Sequence, residues 1–152
     1  MNETEVKLAP VVKHVQVDLP PEAAFRLFTE GMTSWWPLVT HSVGEEQALA
    51  VTLEGRTGGR IYETLEDGSQ EDWGRVTSWE PPRRVAFTWH PGGDPLTPTQ
   101  VEVTFHPAGS GTRVELTHRG WEVLGERGER VRRNYVTGWD LVLGNYIQKA
   151  RV

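Results

Sequence analysis

Apolar and polar residues alternate most clearly between Gln100 and His118. Val101, Val103 and Phe105 are separated by Glu102 and Thr104, and Val114, Leu116 and His118 by Glu115 and Thr117. Successive side chains of a strand point to opposite faces, so the pattern predicts two strands with one buried face. Residues 107–111, Pro-Ala-Gly-Ser-Gly, make a tight connection and turn the pair into a hairpin. Val85, Phe87 and Trp89 alternate in the same way with Ala86, Thr88 and His90, and Pro91-Gly92-Gly93 closes that strand. Nearer the N-terminus, the β-branched run Val11, Val12, Val15 and Val17 predicts a first strand. Leu49, Val51 and Leu53, then Ile61, predict two more across a turn at Gly58-Gly59. A further strand over 73–79 follows Asp67-Gly68 and stops at Pro81-Pro82.

The period changes in the C-terminal part. Val131, Tyr135, Trp139, Val142 and Tyr146 are spaced by four, four, three and four positions, one stripe of a helix over about 128–150, and Leu143 and Ile147 widen it. Gly138 and Gly144 interrupt this helix at a cost of ~1 kcal/mol each relative to Ala, which points to close contact or to space left for something else, a cavity included. Two short helices are expected after the first strand. Pro20-Pro21 followed by Glu22 opens one that runs to about Phe28; Gly31 interrupts it, and 32–36 makes another turn before Pro37. The order is strand, two short helices, six strands and a long helix. An antiparallel sheet with one apolar face needs a cover, and the last helix is the only long apolar one. The fold class is therefore α+β: a curved antiparallel sheet of about six to seven strands around a long C-terminal helix. Residues 1–9 are expected to be a flexible N-terminal tail and 10–152 a single domain.

Charge and composition narrow the function. With 16 Lys+Arg against 21 Asp+Glu the net charge is -5, and the one basic stretch, 127–133, is interrupted by acids. Nucleic acid is not an expected partner. Cysteine is absent, which removes disulfides, thiolate chemistry and Cys-based metal sites. The N-terminal residues lack the apolar core of a signal peptide, and no apolar run approaches the ~20 residues of a membrane span. A cytoplasmic location, as monomer or homodimer and with no cofactor, is the expectation. Although only 37% of residues are apolar, 7 are Trp, so a few large side chains carry much of the packing.

The element order combines with several segments: LPPEAAFRLFTE, WWP at 35–37, GGRIYE at 58–63, WGRVTSWEPPRRVAFTWHPG at 73–92 and GSGTRVELTHRGWE at 109–122. Together they resemble bacterial homologues of the C-terminal domain of the activator of Hsp90 ATPase, within the START/Bet v 1-like (SRPBCC) helix-grip superfamily. The resemblance covers about 11–147. It implies a helix-grip fold with a pocket between the sheet and the C-terminal helix, in a superfamily that includes lipid carriers, hormone receptors, polyketide cyclases and co-chaperones.

Inward sheet positions and the helix stripe would line such a pocket. Phe87, Trp89, Phe105, Leu116 and His118 face Tyr135, Trp139 and Leu143, with Trp35 and Trp36 near the mouth. Plain core packing is the first explanation of any one of the sheet and helix residues, and only the resemblance lifts the cavity above it; Trp35 and Trp36 fit either reading equally. His118 is the sharpest candidate, because an imidazole in an apolar series can orient a ligand or move a proton near neutral pH, although a satisfied structural histidine is the plainer explanation of it. Tyr135, Tyr146 and Trp139 are the other polar handles. His41, Glu63, Asp72 and His90 are metal-capable residue types whose spacing matches no metal motif, so no metal is expected. Nor is there a Gly-x-Ser-x-Gly elbow. The leading expectation is binding of a hydrophobic small molecule in the internal cavity. A cyclase- or dehydratase-like enzyme using His118 as acid–base, and a stress-related, co-chaperone-like protein with a protein partner, are the alternatives.

Overall fold

The computed structural model describes residues 8–151. Seven strands form one sheet: β1 (Val11–Val17), β2 (Ala48–Leu53), β3 (Arg60–Leu65), β4 (Gln70–Glu80), β5 (Arg84–Trp89), β6 (Thr99–Ala108) and β7 (Gly111–Arg119). Their order is β1-β7-β6-β5-β4-β3-β2, antiparallel throughout. Helix α1 (Pro21–Thr29) and the 3-10 turn Met32–Ser34 follow β1, and the long helix α2 (Gly128–Ala150) ends the chain. This is the expected curved sheet around a C-terminal helix. Most of the tail expected over 1–9 falls on residues outside those described; Leu8 packs against the core. Among the described residues, no helix is long and apolar enough to cross a membrane.

Alternation determines which face looks inward. Val85, Phe87, Trp89, Val101, Val103, Phe105, Val114, Leu116 and His118 are all buried. The helix stripe meets them with Trp139, Val142, Leu143 and Tyr146, also buried. Three bulges curl the sheet, each inserting an unpaired residue and sharpening the local twist. In β2 the extra residue is Leu49, between Ala48 paired to Leu65 and Ala50 paired to Thr64. The bulge breaks the expected Leu49, Val51, Leu53 alternation: Val51 and Leu53 are buried, while Leu49 is 58% exposed. In β4 the extra residues are Trp73 and Thr77, and the first bulge sends the Trp73 ring inward, fully buried. Strand β4 is also longer than expected, because Gln70–Asp72 are polar residues that pair with β3 and carry no apolar signal.

Helix α1 begins with Pro at its first turn and Glu22 near its positive end, and buries Ala24, Phe25 and Phe28. Phe25 meets Phe105 at 5.1 Å between ring centres, and Phe28 meets Tyr146 at 5.2 Å. The Tyr146 hydroxyl donates to the Ala24 carbonyl at 2.8 Å, tying α2 to α1. Burial raises the pKa of that phenol. Beyond β7, Gly120 adopts φ 88°, a conformation unfavourable for a side chain, and leads into a 3-10 segment at Trp121–Arg127 that delivers the chain to α2.

Candidate binding cleft

A hydrogen-bond relay runs through the aromatic interior. The Trp139 indole N–H donates to His118 Nδ1 at 3.0 Å, which leaves the ring proton on Nε2. Nε2 lies 2.7 Å from Thr99 Oγ1, whose hydroxyl donates to the Trp89 carbonyl at 3.0 Å. The Trp89 indole N–H in turn donates to the Tyr135 hydroxyl at 3.0 Å. One α2 turn separates Tyr135 from Trp139, so the relay leaves the helix, crosses β7, β6 and β5, and returns to it. His118 is fully buried, and desolvation lowers its pKa from 6.5 to about 3. The imidazole is neutral with both nitrogens engaged within the protein, and it does not line the cleft described next. For Tyr135, burial raises the phenol pKa while the bond from Trp89 opposes the rise.

Beside this relay is a cleft of about 410 Å³, within the size range of small-molecule sites. The indoles of Trp36, Trp89 and Trp139 wall it, with Tyr135, Gly138 and Val142 from α2 and the loop residues His41, Ser42 and Val43. The three indoles also touch one another, at 5.7 Å between Trp36 and Trp89 and 5.9 Å for the other two pairs. A β-carbon at Gly138 would meet no atom within 4 Å, so no packing demand excludes a side chain there. Asn134 and Tyr135 from α2, with His41 and Ser42 from the loop, are the polar side chains of a lining that is otherwise mostly apolar or aromatic.

The loop wall is anchored by Glu63, which is fully buried. One carboxylate oxygen accepts from the Val43 amide at 2.7 Å and the Trp73 indole at 2.6 Å, and the other from the Gly44 amide at 2.7 Å. A buried carboxylate is tolerable only when it is compensated in this way. The Trp36 indole adds a bond to the His41 carbonyl at 2.8 Å, so both ends of 36–44 are fastened.

Of the residues singled out in the sequence, Trp36, Trp89, Tyr135 and Trp139 come together around the cleft. Trp35, Phe87, Phe105, Leu116, His118 and Leu143 are buried elsewhere in the core, with the Trp35 indole bonded to the Leu27 carbonyl at 2.8 Å. His118, as the acid–base of an enzyme, would have no free ring nitrogen to offer. Ser42, Val43, Asn134 and the Pro91-Gly92 corner are cleft residues that periodicity could not reveal. Glu63 did carry a signal, because it alternates with Ile61 and Leu65 on the inward face of β3. Asp72 pairs with Arg60 at 2.7 Å, and among the described residues no three His, Asp or Glu side chains are grouped to hold a metal.

The model of a family described as Activator of Hsp90 ATPase homolog 1-like protein matches residues 18–149. Among solved structures, protein MLL2253 from Mesorhizobium loti is 20% identical with a TM-score of 0.65, over 91% of this chain and 94% of that one. The Aha1 dimer from Colwellia psychrerythraea is 19% identical with a TM-score of 0.68, over 95% and 98%. At these identities the likeness shows the fold. An anthrahydroquino-γ-pyrone synthase, Txn09, solved in complex with a ligand, is 29% identical with a TM-score of 0.63, over 93% and 97%. No curated protein matches the chain.

Two measurements test this geometry. In Glu63→Gln, an amide N–H₂ would face one of three N–H donors, so urea denaturation should show a loss of about 2–3 kcal/mol. Hydrogen exchange at Val43 and Gly44 should accelerate; unchanged exchange would mean that Glu63 does not hold the loop. For His118 the folded pKa lies below the unfolded value of 6.5. Above about pH 6.5 neither state is protonated there; as pH falls toward about 3 only the unfolded state gains the proton, so stability is lost. The loss is about 1.4 kcal/mol per pH unit, or roughly 2 kcal/mol between pH 7 and 5. His118→Gln, which keeps an acceptor and a donor, should lose that much less over the same interval, and equal losses in both proteins would contradict a neutral buried imidazole.

Proposed function

The chain belongs to the Activator of Hsp90 ATPase homolog 1-like family, and from that premise we propose that it binds a flat, largely apolar small molecule in the indole-walled cleft. The observation that carries this reading is the pairing of three indole walls with an unfilled helix position. Gly138 costs α2 ~1 kcal/mol relative to Ala, and no neighbouring atom requires it. Space that close packing does not use, at the foot of a cleft lined by Trp36, Trp89 and Trp139, suits a ring system lying against the helix. Rings prefer offset or edge-on contact with aromatic neighbours, and indoles held in fixed tilted pairs provide such surfaces without further ordering.

Tyr135 would orient the ligand. Its hydroxyl oxygen already accepts from Trp89, and its proton has no acceptor among the described residues, so it is available to a carbonyl or hydroxyl oxygen. The 29% identical synthase supports the same class of ligand, since an anthrahydroquino-γ-pyrone is flat ring chemistry of the kind that indole faces accept.

Gly138→Leu tests the site directly, because its side chain would enter the cleft from a position with open space around the β-carbon. The wild-type protein should bind the neutral fluorophore N-phenyl-1-naphthylamine saturably. The variant should bind it at least about tenfold more weakly, equivalent to about 1.4 kcal/mol, while its melting temperature is unchanged or raised by the gain in helix propensity. Equal binding by both proteins, or no saturable binding by the wild type, would contradict the reading.

A further inference from the structure

A second cavity of about 190 Å³ adjoins the cleft. The two share Trp89, Pro91, Gly92 and Tyr135, so the hydrogen-bonded indole and phenol form a common wall and the Pro91-Gly92 corner borders both. Their chemistry differs. Among the described residues no Lys or Arg lines the cleft, whereas the second cavity is lined by Arg127, His90, Asp94 and Thr97.

Three features give this smaller cavity a preference for negative charge. Arg127 has no carboxylate within ion-pair distance among the described residues. His90 lines the cavity, and its buried Nδ1 has no hydrogen-bond partner among them; in the tautomer that carries the proton there, it would donate to an anionic oxygen and lose the cost of being unpaired. Arg127 and Val131 flank the first turn of α2, whose amides add positive potential on the same side. Asp94 opposes them, but one of its oxygens is engaged by the Leu96 amide at 2.9 Å within its own loop. The net charge of -5 disfavours anions at long range, so the preference must be local and must depend on Arg127.

We propose that the second cavity receives an anionic oxygen group of the ligand, a carboxylate, sulfonate or phenolate, while the flat apolar body occupies the cleft. The substituent passes over the Pro91-Gly92 corner, where Gly92 has no side chain to obstruct it. This inference rests on the binding reading above and narrows it to an acidic ring compound. Arg127 and His90 are the recognition groups of the smaller cavity, and Tyr135 contacts the ligand from the shared wall.

Two probes with the same anilinonaphthalene body separate the claims: neutral N-phenyl-1-naphthylamine and 8-anilinonaphthalene-1-sulfonate. Arg127→Gln should weaken the sulfonate about fivefold or more and leave the neutral probe within about twofold, as expected for the loss of one charged contact. Arg130→Gln, which removes an exposed charge from the same helix at a position lining neither cavity, should leave both probes unchanged. If the neutral probe binds but Arg127→Gln leaves the sulfonate unaffected, or weakens both probes alike, the second-cavity assignment is overturned while the cleft stands. If Arg130→Gln weakens the sulfonate as much as Arg127→Gln, the effect is general surface charge and the assignment also fails. Failure of the neutral probe to bind the wild type would remove the cleft reading itself.

Discussion

The long helix is held in the sheet by one polar relay inside an apolar core: Trp139 to His118, His118 to Thr99, Thr99 to the Trp89 carbonyl, and the Trp89 indole back to Tyr135. Each bond is individually worth about 1 kcal/mol net, but an unmade one would leave a buried donor or acceptor without water, which costs more. Apolar packing alone lets a helix slide or rotate with modest loss; a relay that closes only when five side chains meet fixes its azimuth and depth. Two of the three indoles that wall the cleft belong to this relay. Their orientation is thus a consequence of how the helix is held.

The third indole is positioned by different physics. Trp36 sits between α1 and the loop leading to β2, and that loop is fastened by the buried carboxylate of Glu63. The relay is neutral throughout, whereas the loop anchor is an acidic side chain compensated by three N–H donors. The two supports share no hydrogen bond, yet Trp73 touches both sides: it donates to Glu63 and packs against Trp36 and Trp89 at 5.2 and 5.4 Å. Walls fixed independently and then packed against each other make a cleft ordered before a ligand arrives, which lowers the entropic cost of binding.

The fold was legible because strand alternation and helical period report which side of an element faces inward. Val101, Val103 and Phe105, or Tyr135, Trp139 and Val142, need no distant information to show their direction. Leu49 misled because a bulge residue breaks the period from within, and no turn residue announces it. The cleft was harder to locate. Periodicity marks a residue as inward without saying whether the space before it is filled, so Phe105 and Leu116 look the same in sequence as Trp89 and Trp139. The clearest hint of empty space was Gly138, a poor helix former in the middle of an amphipathic stripe. The position of His118 was readable, but its role depends on partners 19 and 21 residues away in sequence meeting both of its nitrogens.

The seven tryptophans supply one measurement that addresses the central claim directly. Each indole N–H gives its own signal in a proton–nitrogen correlation spectrum, and titration with N-phenyl-1-naphthylamine should shift Trp36, Trp89 and Trp139 saturably while Trp79 and Trp121 remain in place. Shifts spread evenly over all seven, or confined to indoles outside the cleft, would contradict a ligand site between the sheet and the C-terminal helix.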